Sequence, residues 1–149
     1  MRFRFSLTTK ASPEQVVAAF TDVSDRRLEV WRRTLDPAKY ELRDSGEGWA
    51  LVREGSAGVR IWVLLRYEWD VPGTVRWALV DSDHCDGGSG EIHVVPAPGG
   101  GSRVDVVIDH HHPRGVRGAA ILLAQRVLGP VAFPRTWRAA LDQVATRAS

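Results

Sequence analysis

The segment VVIDHHHPRG, residues 106–115, ends an apolar run with His110, His111 and His112 in succession. A neutral imidazole both donates and accepts a hydrogen bond and titrates near neutral pH, so these rings suit ligand contact, acid/base catalysis or metal binding. His-x-His on a strand aims two rings to the same side, as zinc sites require, but a third ligand has to come from elsewhere. Asp81, His84, Cys85 and His93 are of the right chemical type. Their spacing recruits none of them, and DSDHCDGG reads more simply as a polar turn. No metal and no cofactor are therefore expected. Cys85 is the only cysteine, which excludes an internal disulfide and a multi-cysteine zinc site.

What these residues can do depends on the elements that aim them. A chain of 149 residues with 44% hydrophobic content is expected to form one domain, 1–149. The net charge is only +2, and the arginines are interleaved with acidic residues, which argues against a nucleic-acid partner. MRFRFSLT alternates polar and apolar residues, unlike a secretory leader. GAAILLAQRVLGPVAF is interrupted by Gln125 and Arg126 and falls short of the roughly 18 unbroken apolar residues of a membrane span. No span is expected, and a cytoplasmic location is.

RFRFSLT reads as a half-buried strand with Phe3, Phe5 and Leu7 on one side. Ser12, Pro13 and Gln15 then predict a capped helix over ASPEQVVAAF, and Ser24 or Asp25 a second one covering Leu28 and Trp31. Six further strands are expected in KYELRD, GWALVRE, VRIWVLLRYEWD, TVRWALVDS, GEIHVV and SRVDVVIDHHH, separated by turns that include Gly87 to Gly90. Such short links imply an antiparallel meander. Gly115 to Ser149 reads as helical, with an apolar stripe of Leu122, Phe133, Trp137, Leu141 and Val144, and with Pro130 and Pro134 kinking or splitting it. The fold class is thus α+β: a curved antiparallel sheet of about seven strands wrapped around a long C-terminal helix, with two short helices between strands one and two.

Charged groups are costly to bury unpaired, so the apolar parity of each strand should face inward. That set is Val59, Ile61, Val63, Leu65, Tyr67 and Trp69 in one strand, and Val75, Trp77, Leu79 and Asp81 in the next. In the last strand it is Val104, Val106 and Ile108, which carries His110 and His112 inward and His111 outward if the alternation is unbroken. Trp62 and Leu64 fall on the outward parity, where an apolar patch could pair two chains as a homodimer.

At this point the chain resembles the polyketide cyclase/dehydrase and lipid-transport family of the START-like (SRPBCC, helix-grip) superfamily. The element order carries the resemblance, together with SPEQVVAAFTDVS, GEIHVVPAPGGGSRVDVVI and HPRGVRGAAILLAQRVLGP leading to TWRAALDQVA. The resemblance implies a cavity between sheet and C-terminal helix for an apolar or amphipathic small molecule, lipid- or polyketide-like. Ligand contacts are then expected from Ile61, Val63, Leu65, Tyr67, Trp69, Trp77 and Leu79, from Val106, Ile108, His110 and His112, and from Phe133 and Trp137. Binding is the leading reading. The alternative is a cyclase or aromatase that draws its acid and base from His110, His112, Tyr67 and Asp81; a third is a protein-interaction module.

Overall fold

The computed structural model describes residues 1–148. Strand β1 (Arg2–Thr9) is followed by helices α1 (Pro13–Thr21) and α2 (Arg26–Val30). Next come β2 (Glu41–Gly46), β3 (Trp49–Gly55), β4 (Trp62–Glu68), β5 (Thr74–Ser82), β6 (Cys85–Pro96), β7 (Ser102–Pro113) and helix α3 (Gly115–Ala148). All seven strands form one antiparallel sheet in the order β1-β7-β6-β5-β4-β3-β2. The meander expected from the short turns accounts for every neighbour except β1, which closes the far edge against β7.

Local chemistry sets the elements. At α1, the Ser12 side chain accepts from the Gln15 backbone N–H at 3.2 Å, and Gln15 Oε1 accepts from the Ser12 N–H at 2.9 Å. This reciprocal cap satisfies two donors that the first turn leaves free, and it follows a Pro13 whose missing N–H costs nothing there. The helix then buries Val16, Ala19 and Phe20.

Helix α3 runs continuously through Pro130 and Pro134, so of the two expected alternatives, kinking or splitting, the split does not occur. The two prolines are four residues apart, so the helical hydrogen bonds they delete lie on one stripe and the opposite side of the ladder stays intact. Its inward stripe passes through Gly118, Leu122, Gly129, Phe133, Trp137 and Leu141, and packs on β1, β7, α1 and α2. Gly129 lets the helix come close: a Cβ there would lie 2.7 Å from Cζ of Phe3. The Phe3, Phe5, Phe133 and Trp137 rings meet at centroid distances of 5.3 to 6.2 Å. By length and composition one stretch of α3 is apolar enough to cross a membrane, and its outer face exposes Val116, Leu123, Val127, Leu128 and Val131. Its inner face is the one gripped by the sheet.

Strand β6 begins at Cys85, five residues before the expected start, and the supposed turn Gly87–Gly90 lies inside it. These glycines are spaces for neighbours. A Cβ on Gly90 would enter the Trp77 ring, one on Gly88 the His110 ring, and one on Gly87 the His111 ring. Only Asp83 and His84 connect β5 to β6.

Trp77 is buried and walled in, so the added methyl of Gly90→Ala has no space to enter. Such overpacking should destabilise the fold by about 1–3 kcal/mol. In urea unfolding, Gly90→Ala should show the lower midpoint, while Ser89→Ala on the exposed side of the same strand should match the parent.

Candidate functional site

Between the sheet, α2 and α3 lies a pocket of about 210 Å³. Of the residues expected to line it, Ile61, Val63, Leu65 and Tyr67 do so from β4 and the segment before it. Trp77, Ile108 and His110 do so from β5 and β7, and Phe133 and Trp137 from α3. Four others do not. Val106 is sealed in the core, and Trp69 and Leu79 pack at its margin without reaching the pocket wall.

His112 is the fourth. It adopts a left-handed backbone with φ 55°, ends the alternation and stands exposed, its ring against that of His111. Asp81 is also outside, where Arg114 pairs with it at 3.3 Å. The cause is a bulge. Leu65 pairs with Leu79 and Leu64 with Asp81, so Val80 is extra and strand parity inverts beyond it. Ser82 and His84 are thereby turned inward and fully buried. The acid/base set expected from sequence thus loses two of its four members.

On the outer face, Leu64 is buried (7% exposed) and the Arg53 guanidinium lies 4.8 Å above the Trp62 ring, so the expected apolar patch is largely covered. A larger groove of about 540 Å³ also lies there, walled by Arg2, Arg4, Arg66, Arg76, Glu68 and Glu91. It is open and charged, with Arg66 bonded to Glu68 and Arg76 to Asp70. Among the described residues, no buried polar atom is left unsatisfied in its walls. The inner pocket differs on that point.

One end of the inner pocket holds an ion pair that sequence reasoning missed. Arg27 Nη2 donates to Glu54 Oε1 at 2.8 Å and to the Tyr67 hydroxyl at 3.0 Å, and that hydroxyl donates to Glu54 Oε1 at 2.8 Å. Arg27 Nη1 donates to the Phe20 carbonyl at 3.0 Å. All three side chains are buried. Burial opposes the charge on Arg27, but Glu54 and Tyr67 together outweigh it and raise the guanidinium's pKa further. Burial and the Glu54 carboxylate push the Tyr67 phenol well above its usual 10. Glu54 could have been found, because it shares the inward parity of Ala50 and Val52 in GWALVRE and an inward carboxylate needs a partner. Nothing in DRRLEV distinguishes Arg27 from Arg26.

At the other end, burial and then the nearby His84 ring push His110 down from 6.5 to about 4, outweighing the neighbouring Gln125 side chain, so it is neutral at physiological pH. Three residues of the pocket wall each carry a buried side-chain atom with no hydrogen-bond partner within bonding geometry among the described residues, Arg27 Nε, His110 Nδ1 and Gln125 Oε1, and the His110 and Gln125 side chains lie close enough to interact with one another. An unmet buried donor or acceptor costs about 1–3 kcal/mol, so each is a place where a guest or a water gains by binding. The pocket is an apolar slot with polar points at both ends.

Comparison with known proteins agrees with this architecture. A sequence-family model described as polyketide cyclase / dehydrase and lipid transport matches residues 1–149. No curated protein matches the chain in sequence. A Thermus thermophilus protein superposes with a TM-score of 0.78 at 18% identity, covering 100% of this chain and 99% of its own. The Zhui aromatase/cyclase of a Streptomyces species gives 0.77 at 17%, covering 100% and 96%. A START superfamily protein of Mycobacterium smegmatis gives 0.72 at 15%, covering 99% of each chain. At such identities the likeness is one of fold.

The buried ion pair supplies a stability test. Glu54→Leu alone strands a buried guanidinium and should cost about 3–5 kcal/mol in urea unfolding. Adding Arg27→Met should recover most of that loss, and a double mutant no more stable than Glu54→Leu would show that the pair is not coupled.

Proposed function

Because the chain belongs to the polyketide cyclase/dehydrase and lipid-transport family, with its START-like helix-grip fold, we propose that it binds an amphipathic small molecule in the pocket between sheet and α3. The observation that carries this reading is the set of unsatisfied buried atoms in otherwise apolar walls. Arg27 Nε offers a donor, Gln125 Oε1 an acceptor and His110 Nδ1 a third polar contact. Phe20, Trp31, Trp77 and Trp137 supply flat apolar area between them. A guest with a ring-bearing body and oxygen substituents at its ends matches both. The volume of about 210 Å³ lies below the roughly 300–1,000 Å³ of pockets that enclose drug-sized ligands. It suits one or two rings better than a long acyl chain.

The same side chains speak for binding over acid/base turnover. A general base works best with a pKa near the operating pH, and His110, at about 4, is a weak one. Tyr67, pushed well above 10, holds its proton. Arg27 stays cationic. Each of these groups keeps one protonation state at neutral pH, which favours a fixed pattern of contacts.

Trp31, Trp77 and Trp137 make binding visible through their own fluorescence. Titration with the two-ring probe naphthalene-2,7-diol should quench them saturably at one equivalent per chain. Val63→Trp, which fills the slot from β4, should weaken that binding at least about tenfold, or 1.4 kcal/mol. Unchanged affinity in a folded Val63→Trp protein would place the probe elsewhere and remove the proposal's support. Native mass spectrometry of freshly purified protein should also show a co-purifying mass below that of a phospholipid.

A further inference from the structure

We infer that His84, Cys85 and His110 form a binding site for a borderline-soft divalent cation, zinc above all, at the edge of the pocket. One donor atom from each side chain lies within 4.8 Å of the other two. In a tetrahedral zinc site, with Zn–N near 2.0–2.1 Å and Zn–S near 2.3 Å, donor atoms stand about 3.3–3.7 Å apart. The widest separation in the trio therefore exceeds that of a closed site by no more than about 1.1–1.5 Å.

Three features beyond proximity point to a metal. First, His84 is fully buried, and its Nδ1 lies 2.9 Å from Asp83 Oδ1. A carboxylate oxygen accepts, so Nδ1 is the ring nitrogen that donates there and Nε2 is the one left for a ligand role. A carboxylate behind a histidine in this way fixes the tautomer and strengthens the ring as a ligand. Second, His84 Nε2 has no hydrogen-bond partner among the described residues, nor does His110 Nδ1. Two unmet imidazole nitrogens in one buried cluster are costly without an ion between them. Third, the backbone holds the ligands in place. Ser82 Oγ accepts the N–H groups of His84 and Cys85 at 3.2 and 2.9 Å and donates to the Cys85 carbonyl at 2.7 Å. Gly88 opens the space that the His110 ring fills.

Charge also balances. Binding would release the Cys85 thiol proton, and the resulting thiolate together with the ionised Asp83 offsets a 2+ ion beside two neutral imidazoles. His110 lines the pocket while His84 and Cys85 do not. The trio supplies three of four tetrahedral positions, and the fourth is left to water or a guest's oxygen. This inference shares His110 with the proposed binding site, but zinc uptake is read without any guest, so failure of one leaves the other to be judged by its own test.

Equilibrium dialysis of the full chain against Zn²⁺, with metal measured by mass spectrometry, tests it. The parent should bind one equivalent, and Cys85→Ser, His84→Gln and His110→Gln should each weaken binding at least about tenfold, with Asp83→Asn losing about 10–100-fold. Replacing the exposed His93, His111 and His112 by Gln should change nothing. Cobalt(II) on the parent protein should show a thiolate-to-metal charge-transfer band that Cys85→Ser abolishes. The parent's band is informative even where a buried variant fails to fold. Three results would each overturn the inference: substoichiometric zinc on the parent, a cobalt spectrum without the band, or zinc that leaves with the exposed histidines and stays without Cys85.

Discussion

The geometry of the pocket rests on the obligation to pair one buried guanidinium. Arg27 comes from α2, Glu54 from β3 and Tyr67 from β4. An unpaired charge in that position would cost several kcal/mol, so these three elements can meet only where the hydrogen bonds close. A buried ion pair adds little net stability compared with apolar residues of the same size. What it does is exclude alternatives: the apolar side chains of α2 and the sheet cannot collapse into the slot without stranding a charge. The open volume beside Trp31 and Trp77 is thus a consequence of polarity at its end as much as of shape.

The aromatic cluster under α3 plays the complementary part. Phe20, Trp31 and Trp137 meet edge-on or tilted at 4.9 to 5.9 Å. Such pairs add about 0.5–1.5 kcal/mol each beyond the area they bury. They anchor the C-terminal half of α3, where Leu141 is fully buried, while the first half keeps an exposed apolar side. The same three rings line the pocket, so the clamp that holds helix to sheet also forms one of its walls.

Most of this fold was legible because burial on one face forces a period of two on a strand. β1, β5 as far as Leu79 and β7 as far as His110 follow the alternation read in sequence, and up to those points their inward residues are those expected. Legibility failed where the period broke. Val80 inserts into β5 and moves Asp81 outward, and the left-handed His112 ends the alternation in β7. Neither event has a local signature, since Val80 is a good strand residue and histidine does not favour positive φ strongly enough to announce it. β6 failed for a different reason. Gly87, Gly88 and Gly90 usually mark turns, but here each yields its volume to a ring on the next strand, and only pairing across the sheet reveals that.

The same break in period explains why the pocket walls were easier to read than its polar ends. Apolar walls follow from alternation, one residue at a time, so Ile61, Val63 and Ile108 could be placed without knowing their partners. Polar ends follow from meetings between elements far apart in the chain. Arg27 and Glu54 are separated by 27 positions, and His84 reaches His110 only because the bulge turns the short β5–β6 connection inward. Had β5 kept its register, Asp81 would have faced the pocket, and Ser82 and His84 would have pointed to solvent. A single inserted residue therefore sends a carboxylate outward and brings a buried imidazole in beside His110. It alters the chemistry behind the pocket wall while leaving the pattern of apolar residues, and hence the fold, unchanged.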